Sequence, residues 1–286
     1  MSVVTQQIEW DNNLISRYDL AGPRYTSYPT APQFQESFTE AALLNAIARS
    51  NQEQRPLSLY FHIPFCDSLC YYCGCNKMVT RHSEKADLYL QNLAIEMALY
   101  QPLIADKTIS QLHLGGGTPT FLTEEQLSLL MQLLKLHFVF KSDAELSIEI
   151  DPRSCSDDKL RHLRTLGFNR VSYGVQDLDE KVQIAINRLQ DTDLIRHQVQ
   201  LSRELGFSSI NLDLIYGLPF QQPASFSETV DEIIRLNPDR ISLFSYAHLP
   251  ERFAAQRKIS DASLPDAPLK LELMQLAINR FVVTGY

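Results

Sequence analysis

The sequence predicts an α/β fold: an open six-unit (β/α)6 partial barrel of parallel strands, preceded by an extended and helical N-terminal arm. Three observations predict it. Six short apolar-rich runs each precede a segment of helical periodicity, and that alternation implies a parallel sheet with right-handed crossovers. Most of those runs keep apolar residues on one parity and polar residues on the other, unlike strands buried on both faces. A full eight-unit barrel would typically need about 250 residues by itself, which leaves little room in a chain of 286. The arm is assigned to residues 1–54 and the barrel to 55–286.

Taken in order, residues 1–54 show no sustained period. GPRYTSYPTAP (22–32) carries three prolines and two tyrosines and reads as an extended, ordered arm. FTEAALLNAIAR (38–49) has the three-and-four apolar spacing of a short helix. Strands are predicted at 57–63, 109–114, 145–150, 170–175, 209–215 and 240–246. Helices are predicted at 84–101, 124–137, 157–166, 192–205, 226–236 and 267–283. Thr123 with Gln126, and Ser225 with Glu228, read as capping boxes. Gly167 and Gly206 stand where C-terminal caps belong.

The strand parities say which face does the work. Leu57, Leu59, Phe61, Leu112, Leu114, Leu146, Ile148, Ile150, Ile210, Leu212, Leu214, Ile241 and Leu243 are apolar and must lie under the crossover helices. The other parity carries Ser58, Tyr60, His62, Gln111, His113, Ser147, Glu149, Ser172, Gln176, Asn211, Asp213, Ser242 and Tyr246. Burying so many polar groups unpaired would cost roughly 1–3 kcal/mol each. This face therefore lines a lumen for water or ligand, with the working end at the strand C-termini. Tyr60, Glu149, Gln176 and Asp213 are expected to converge there in one pocket beside the cysteine loop.

Charge and composition narrow the function. Lys and Arg number 26 against 34 Asp and Glu, a net charge of −8. That balance argues against a broad nucleic-acid face or an anionic-membrane binder. No apolar run approaches the roughly 18 residues of a membrane span. No basic residue precedes Arg17 and no signal-length apolar stretch opens the chain, so a cytoplasmic protein is the default. A monomer is expected.

Five cysteines argue against a plain disulfide framework. Cys66, Cys70, Cys73 and Cys75 crowd into ten residues directly after the first strand, and only Cys155 is distant. In a reducing compartment such crowding means metal or redox chemistry. Cys66-x3-Cys70-x2-Cys73 can ligate three corners of a [4Fe–4S] cluster and leave one iron open. Structural zinc prefers paired C-x2-C elements and four ligands, which this 3-then-2 spacing fits poorly. Cys155 reads as a packed thiol. At the end of the second strand, LGGGTP (114–119) places Gly115, Gly116 and Gly117 together in a chain holding only ten glycines. Three glycines let backbone amides approach a ligand closely.

The Cys-x3-Cys-x-aromatic-Cys loop resembles the signature of the radical S-adenosylmethionine (SAM) enzymes. The resemblance implies that SAM chelates the open iron and that an electron from the cluster cleaves it to a radical that abstracts a substrate hydrogen. GPRYTSYPT (22–30), YYCGCNK (71–77), DLIYGLP (213–219) and YAHLP (246–250) further resemble the oxygen-independent coproporphyrinogen III oxidases, over nearly the whole chain. That resemblance implies Cys66, Cys70 and Cys73 as cluster ligands and the glycine turn 115–117 at the amino group of SAM. Tyr60, Gly116 and Glu149 are implied as contacts to cluster-bound SAM. Tyr72, Gly117, Thr118, Gln176, Arg188, Asp213 and Ala247 are implied as contacts to a second SAM. It also implies coproporphyrinogen III as substrate and flavodoxin or ferredoxin as electron donor. Arg24 is the candidate contact to the tetra-acid substrate, and Cys75 is a family feature whose role the residues do not give. Family members continue into a C-terminal helical domain, which this chain is expected to lack. The alternatives are a haem-binding or haem-delivery protein on the same scaffold, or a fragment that only cleaves SAM.

Overall fold

The computed structural model describes residues 8–18, 30 and 33–286. Its elements are α1 (Asn12–Tyr18), α2 (Glu40–Gln52), β1 (Leu57–Ile63), β2 (Phe65–Cys66), β3 (Met78–Val79), α3 (Lys85–Tyr100), β4 (Thr108–Gly116), α4 (Glu124–His137) and β5 (Val139–Ile150). They continue as α5 (Asp157–Leu166), β6 (Arg170–Gln176), α6 (Glu180–Ala185), α7 (Thr192–Glu204), β7 (Ser209–Tyr216), α8 (Pro223–Leu236), β8 (Arg240–Ser245) and α9 (Ala267–Val283). The arm expected at 22–32, with Arg24, lies outside the described residues except for Thr30, which is buried.

The predicted class holds. Six strands lie in the order β1-β4-β5-β6-β7-β8, every neighbouring pair is parallel, and the sheet does not close on itself. Register makes the parity visible. Phe61, Leu114, Ile148, Val171 and Ile210 form one apolar row across five strands. That row packs against Leu90 and Met97 of α3, Leu127 and Leu134 of α4, Leu163 of α5, Ile195 of α7 and Phe226 of α8. Burying side chains of this size stabilises the fold by about 1.5–3 kcal/mol each. The opposite row, Tyr60, His113 and Ser147, stays partly open.

Several boundaries differ from expectation, each for a local reason. β5 begins at Val139, six residues early, because its exposed opening stretch carries Lys141 and Asp143 and hides the strand pattern. α8 begins at Pro223, where proline suits the first helical position. Its capping box is therefore Gln222 with Ser225, not Ser225 with Glu228, and Ser225 Oγ accepts from the Gln222 amide at 3.4 Å. α2 starts after its N-cap Thr39 and runs on to Gln52. The six-residue α6, capped by Asp179, is too short for a period to reveal. Tyr246 does not sit on the polar face. β8 ends at Ser245, and Tyr246 is buried in a second apolar cluster with Ile186, Ile215, Leu218 and Ile259. The other caps are as expected: Thr123–Gln126 is a complete box, and Gly167 closes α5 at φ 105°.

Candidate functional site

The site begins where β1 ends. β2 and β3 pair in parallel and pinch off the loop between Cys66 and Met78. Thr80 N donates to Cys66 O at 2.9 Å, and Met78 N to Pro64 O at 2.6 Å. Phe65 anchors the base, stacked 5.2 Å from Phe121 and edge-on to Tyr89. Three further contacts hold the far side: Tyr71 N to Ile186 O at 2.9 Å, Asn187 Nδ2 to Leu69 O at 2.8 Å and Gln256 Nε2 to Tyr72 O at 2.9 Å. These protein contacts brace the loop that carries the thiols.

The glycine turn is the floor beneath it. A Cβ on Gly117 would stand 2.8 Å from Phe65 O and 2.9 Å from Cys66 Sγ, so only glycine admits the loop this close. Gly116 adopts φ 117°, and a Cβ there would meet the His62 ring at 2.7 Å. The amides are engaged by the protein itself. Gly116 N donates to Glu149 Oε2 at 3.1 Å, Gly117 N to Ile63 O and Thr118 N to Phe65 O, both at 2.8 Å.

A cavity of about 120 Å³ opens between loop and floor. Cys66, Cys70, Cys73, Tyr72, Gly117, Thr118 and Arg188 all line it, as do Asp151 and Arg153. The three thiols are inequivalent. Cys66 is buried, which pushes its thiol up to about 11, and its sulfur accepts from Thr118 Oγ1 at 3.6 Å. Cys73 is lowered to about 6, chiefly by hydrogen bonding from Cys75, with Lys77 adding to the effect. Cys75 is exposed and pushed up by the same pairing, its amide donating to Cys73 Sγ at 3.4 Å. Cys70 faces guanidinium groups: Arg188 Nη1 at 3.4 Å and Arg153 Nη2 at 3.6 Å. Asp151 Oδ2 accepts from Arg188 at 2.9 Å and from Arg153 at 2.6 Å. Burial alone would raise the Asp151 carboxyl, but the two arginines hold it below its ordinary value. Arg188 Nε is buried with no partner among the described residues, a cost of roughly 1–3 kcal/mol that an acceptor would remove. Cys155 is buried away from this loop, and burial pushes its thiol up to about 12.

Tyr60, Glu149, Gln176 and Asp213 do not line this small cavity themselves, but they adjoin it: Glu149 acts electrostatically on Tyr60, on Asp213 and on Cys75 of the loop, and Gln176 meets the cavity-lining Arg188 over Gly174. All four belong to the polar face of β1, β5, β6 and β7. Tyr60 stacks on His113 at 5.8 Å and gives its hydroxyl contact to His62 Nδ1 at 2.9 Å. His113 Nε2 lies 3.2 Å from Glu149 Oε1, and Tyr60 and Glu149 both crowd the Cβ side of Gly115. Asp213 pairs in register with Gly174, and burial raises its carboxyl despite hydrogen bonds from Ser172 and Asn211. Gln176 holds the left-handed φ of 68° and reaches toward Arg188 over Gly174. Ala247 is exposed, but its carbonyl shares Gln256 Nε2 with Tyr72 O. Asp151 and Arg153 were not expected. Their signal was position: Asp-Pro-Arg follows the C-terminus of β5, at the same working end.

No three His, Cys, Asp or Glu among the described residues close around a single metal ion. The donor set fits a larger group: three free thiols on one loop, lining one cavity, with an orphaned buried arginine donor beside them. Residues 60–233 match the family described as the radical SAM superfamily. The chain belongs to that superfamily. It is 56% identical over 281 residues to the oxygen-independent coproporphyrinogen III oxidase of Salmonella typhimurium, covering 98% of this chain and 61% of that protein. The protein of that name from Synechocystis is 41% identical over 287 residues, 62% of its length. The structure of coproporphyrinogen III oxidase from Escherichia coli, described as a radical SAM enzyme, superposes with a TM-score of 0.92 at 53% identity, covering 98% of this chain and 63% of that one. The chain thus spans about three fifths of the length of the relatives it matches. No helix among the described residues is long and apolar enough to cross a membrane.

Proposed function

We propose that this chain carries the cluster- and SAM-binding part of an oxygen-independent coproporphyrinogen III oxidase. The reaction is oxidative decarboxylation of two propionate side chains of coproporphyrinogen III to vinyl groups, giving protoporphyrinogen IX. The observation that carries the reading is the cavity lined jointly by Cys66, Cys70, Cys73 and the glycine floor, in a chain 56% identical to a protein of that name. When bound, the cluster and SAM supply the hydrogen-abstracting chemistry that no amino-acid side chain can provide. The chain's own work is to bind and orient. Cys66, Cys70 and Cys73 hold the cluster. Tyr60, Gly116 and Glu149 hold one SAM on the polar face, with Gly115 leaving room for both side chains. Tyr72, Gly117, Thr118, Gln176, Arg188, Asp213 and Ala247 hold a second. Arg24 receives a substrate carboxylate, and flavodoxin or ferredoxin supplies the electron.

Anaerobic reconstitution followed by reduction with SAM and coproporphyrinogen III tests this. Formation of 5′-deoxyadenosine is expected from the reading, with CO2 and protoporphyrinogen IX formed in much smaller amount. Tight binding of haem with neither product would overturn it in favour of a haem-delivery role.

A further inference from the structure

The three thiols meet different surroundings, and only Cys70 has guanidinium groups against its sulfur. Cys66 Sγ has a neutral hydroxyl, Thr118 Oγ1, at 3.6 Å. Cys73 Sγ has a backbone amide, Cys75 N, at 3.4 Å, and the flexible ammonium of Lys77 beside it. Cys70 Sγ has two guanidinium nitrogens, Arg188 Nη1 at 3.4 Å and Arg153 Nη2 at 3.6 Å. Asp151 neutralises one of the two arginine charges, which leaves a single positive charge against this sulfur. Arg188 is additionally committed to Gly174 O at 2.6 Å. Among the described residues Arg153 has no carbonyl partner of that kind: its Nε and Nη2 both go to Asp151, at 3.0 and 2.6 Å, and Nη2 then reaches the sulfur.

We infer that Arg153, held in place by Asp151, is a positioning residue that tunes the electron affinity of the cluster through the Cys70 corner. The inference rests on the reading that these thiols hold an iron–sulfur cluster. Adding one electron makes the cluster more negative. Hydrogen bonds to ligand sulfur and nearby positive charge favour that reduced state and raise the reduction potential. In a half-buried site the effect is not screened away as at an exposed surface. Asp151 acts in the opposite sense, because it withdraws part of the cationic field while fixing the direction of both guanidiniums. The two residues therefore make predictions of opposite sign, which a purely structural clamp does not.

The test is a dithionite titration of the reconstituted 286-residue protein, following the reduced cluster by electron paramagnetic resonance, with iron and sulfide counted in every sample. Arg153→Met should shift the reduced-to-oxidised ratio at a fixed potential by on the order of tenfold toward oxidised, the worth of one hydrogen bond to a charged group. Asp151→Asn should shift it toward reduced. Arg153→Lys keeps the charge, loses the planar fork and should fall between Arg153→Met and the parent. Ratios unchanged in all variants, or moved the same way by Arg153→Met and Asp151→Asn, would overturn the inference. If Arg153→Met holds no iron, Asp151→Asn and Arg153→Lys decide it by the same signs. Failure of the parent protein to hold iron and sulfide would instead count against the cluster reading itself.

Discussion

At the residue scale the cysteine loop separates two thiols that the sequence places two positions apart. Cys73 lines the cavity and ionises readily, whereas Cys75 is exposed and supplies a hydrogen bond to it. A ligand needs the thiolate, and its ligation removes a proton. Cys73→Ala should therefore abolish the thiolate-to-iron charge-transfer absorbance after reconstitution. Cys75→Ser should keep that absorbance and about four irons per chain. Absorbance lost in Cys75→Ser and kept in Cys73→Ala would reverse the ligand assignment. The spacing of Cys66, Cys70 and Cys73 was legible in the sequence because ligand geometry on one loop is a local property. The surroundings of Cys70 were not, since Arg153 and Arg188 lie 83 and 118 positions away from it.

At the element scale, the junctions at the strand C-termini are fixed by buried polar groups, and Asp177 is the clearest case. It follows β6 and is 1% exposed. Its carboxylate accepts from Gln221 Nε2 at 2.5 Å, Thr229 Oγ1 at 3.1 Å and the Asp179 amide at 2.8 Å. Those bonds tie the β6–α6 turn to the β7–α8 turn. Burial nevertheless wins, pushing the carboxyl from its ordinary 3.8 up to about 6. The folded chain then holds a proton that the unfolded chain has released, so this group's contribution to stability is fully present below about pH 4 and lost as pH rises through about 6. Asp177→Asn should flatten that part of the profile, while losing roughly 1–3 kcal/mol where its amide now faces the Gln221 donor. Urea unfolding at pH 4.5 and 6.5 compares the slopes; identical slopes in parent and variant would contradict the assignment. The crossover helices themselves were legible from periodicity and caps, as at Thr123 and Gly167. The capping of α8 is hidden in the sequence because Ser225 and Glu228 imitate a box three residues inside the true start.

At the scale of the whole molecule, two parities divide the labour. The apolar rows weld the sheet to its helices, and the polar rows, with the thiol loop at their end, stay outside that core. That division was readable because alternation is local. The approach of Gln176 to the cavity-lining Arg188 over Gly174 is a long-range contact that no residue pattern states. The division also predicts how the molecule answers removal of its metal. In a small zinc domain the metal supplies the folding energy, and chelation unfolds the chain. Here the core under α3, α4, α5, α7 and α8 contains none of Cys66, Cys70 or Cys73. The loop is also tied by its β2–β3 ladder and by contacts to Ile186, Asn187 and Gln256 that use no thiol. Anaerobic chelation of the reconstituted protein should therefore leave amide hydrogen exchange in β4, β5, β6 and β7 unchanged. Faster exchange should be confined to residues 67–77 and the turn at 115–118, where opening requires only local loss of structure. Loss of protection throughout the sheet would show that the cluster carries global stability, and the separation of core from site drawn here would fail.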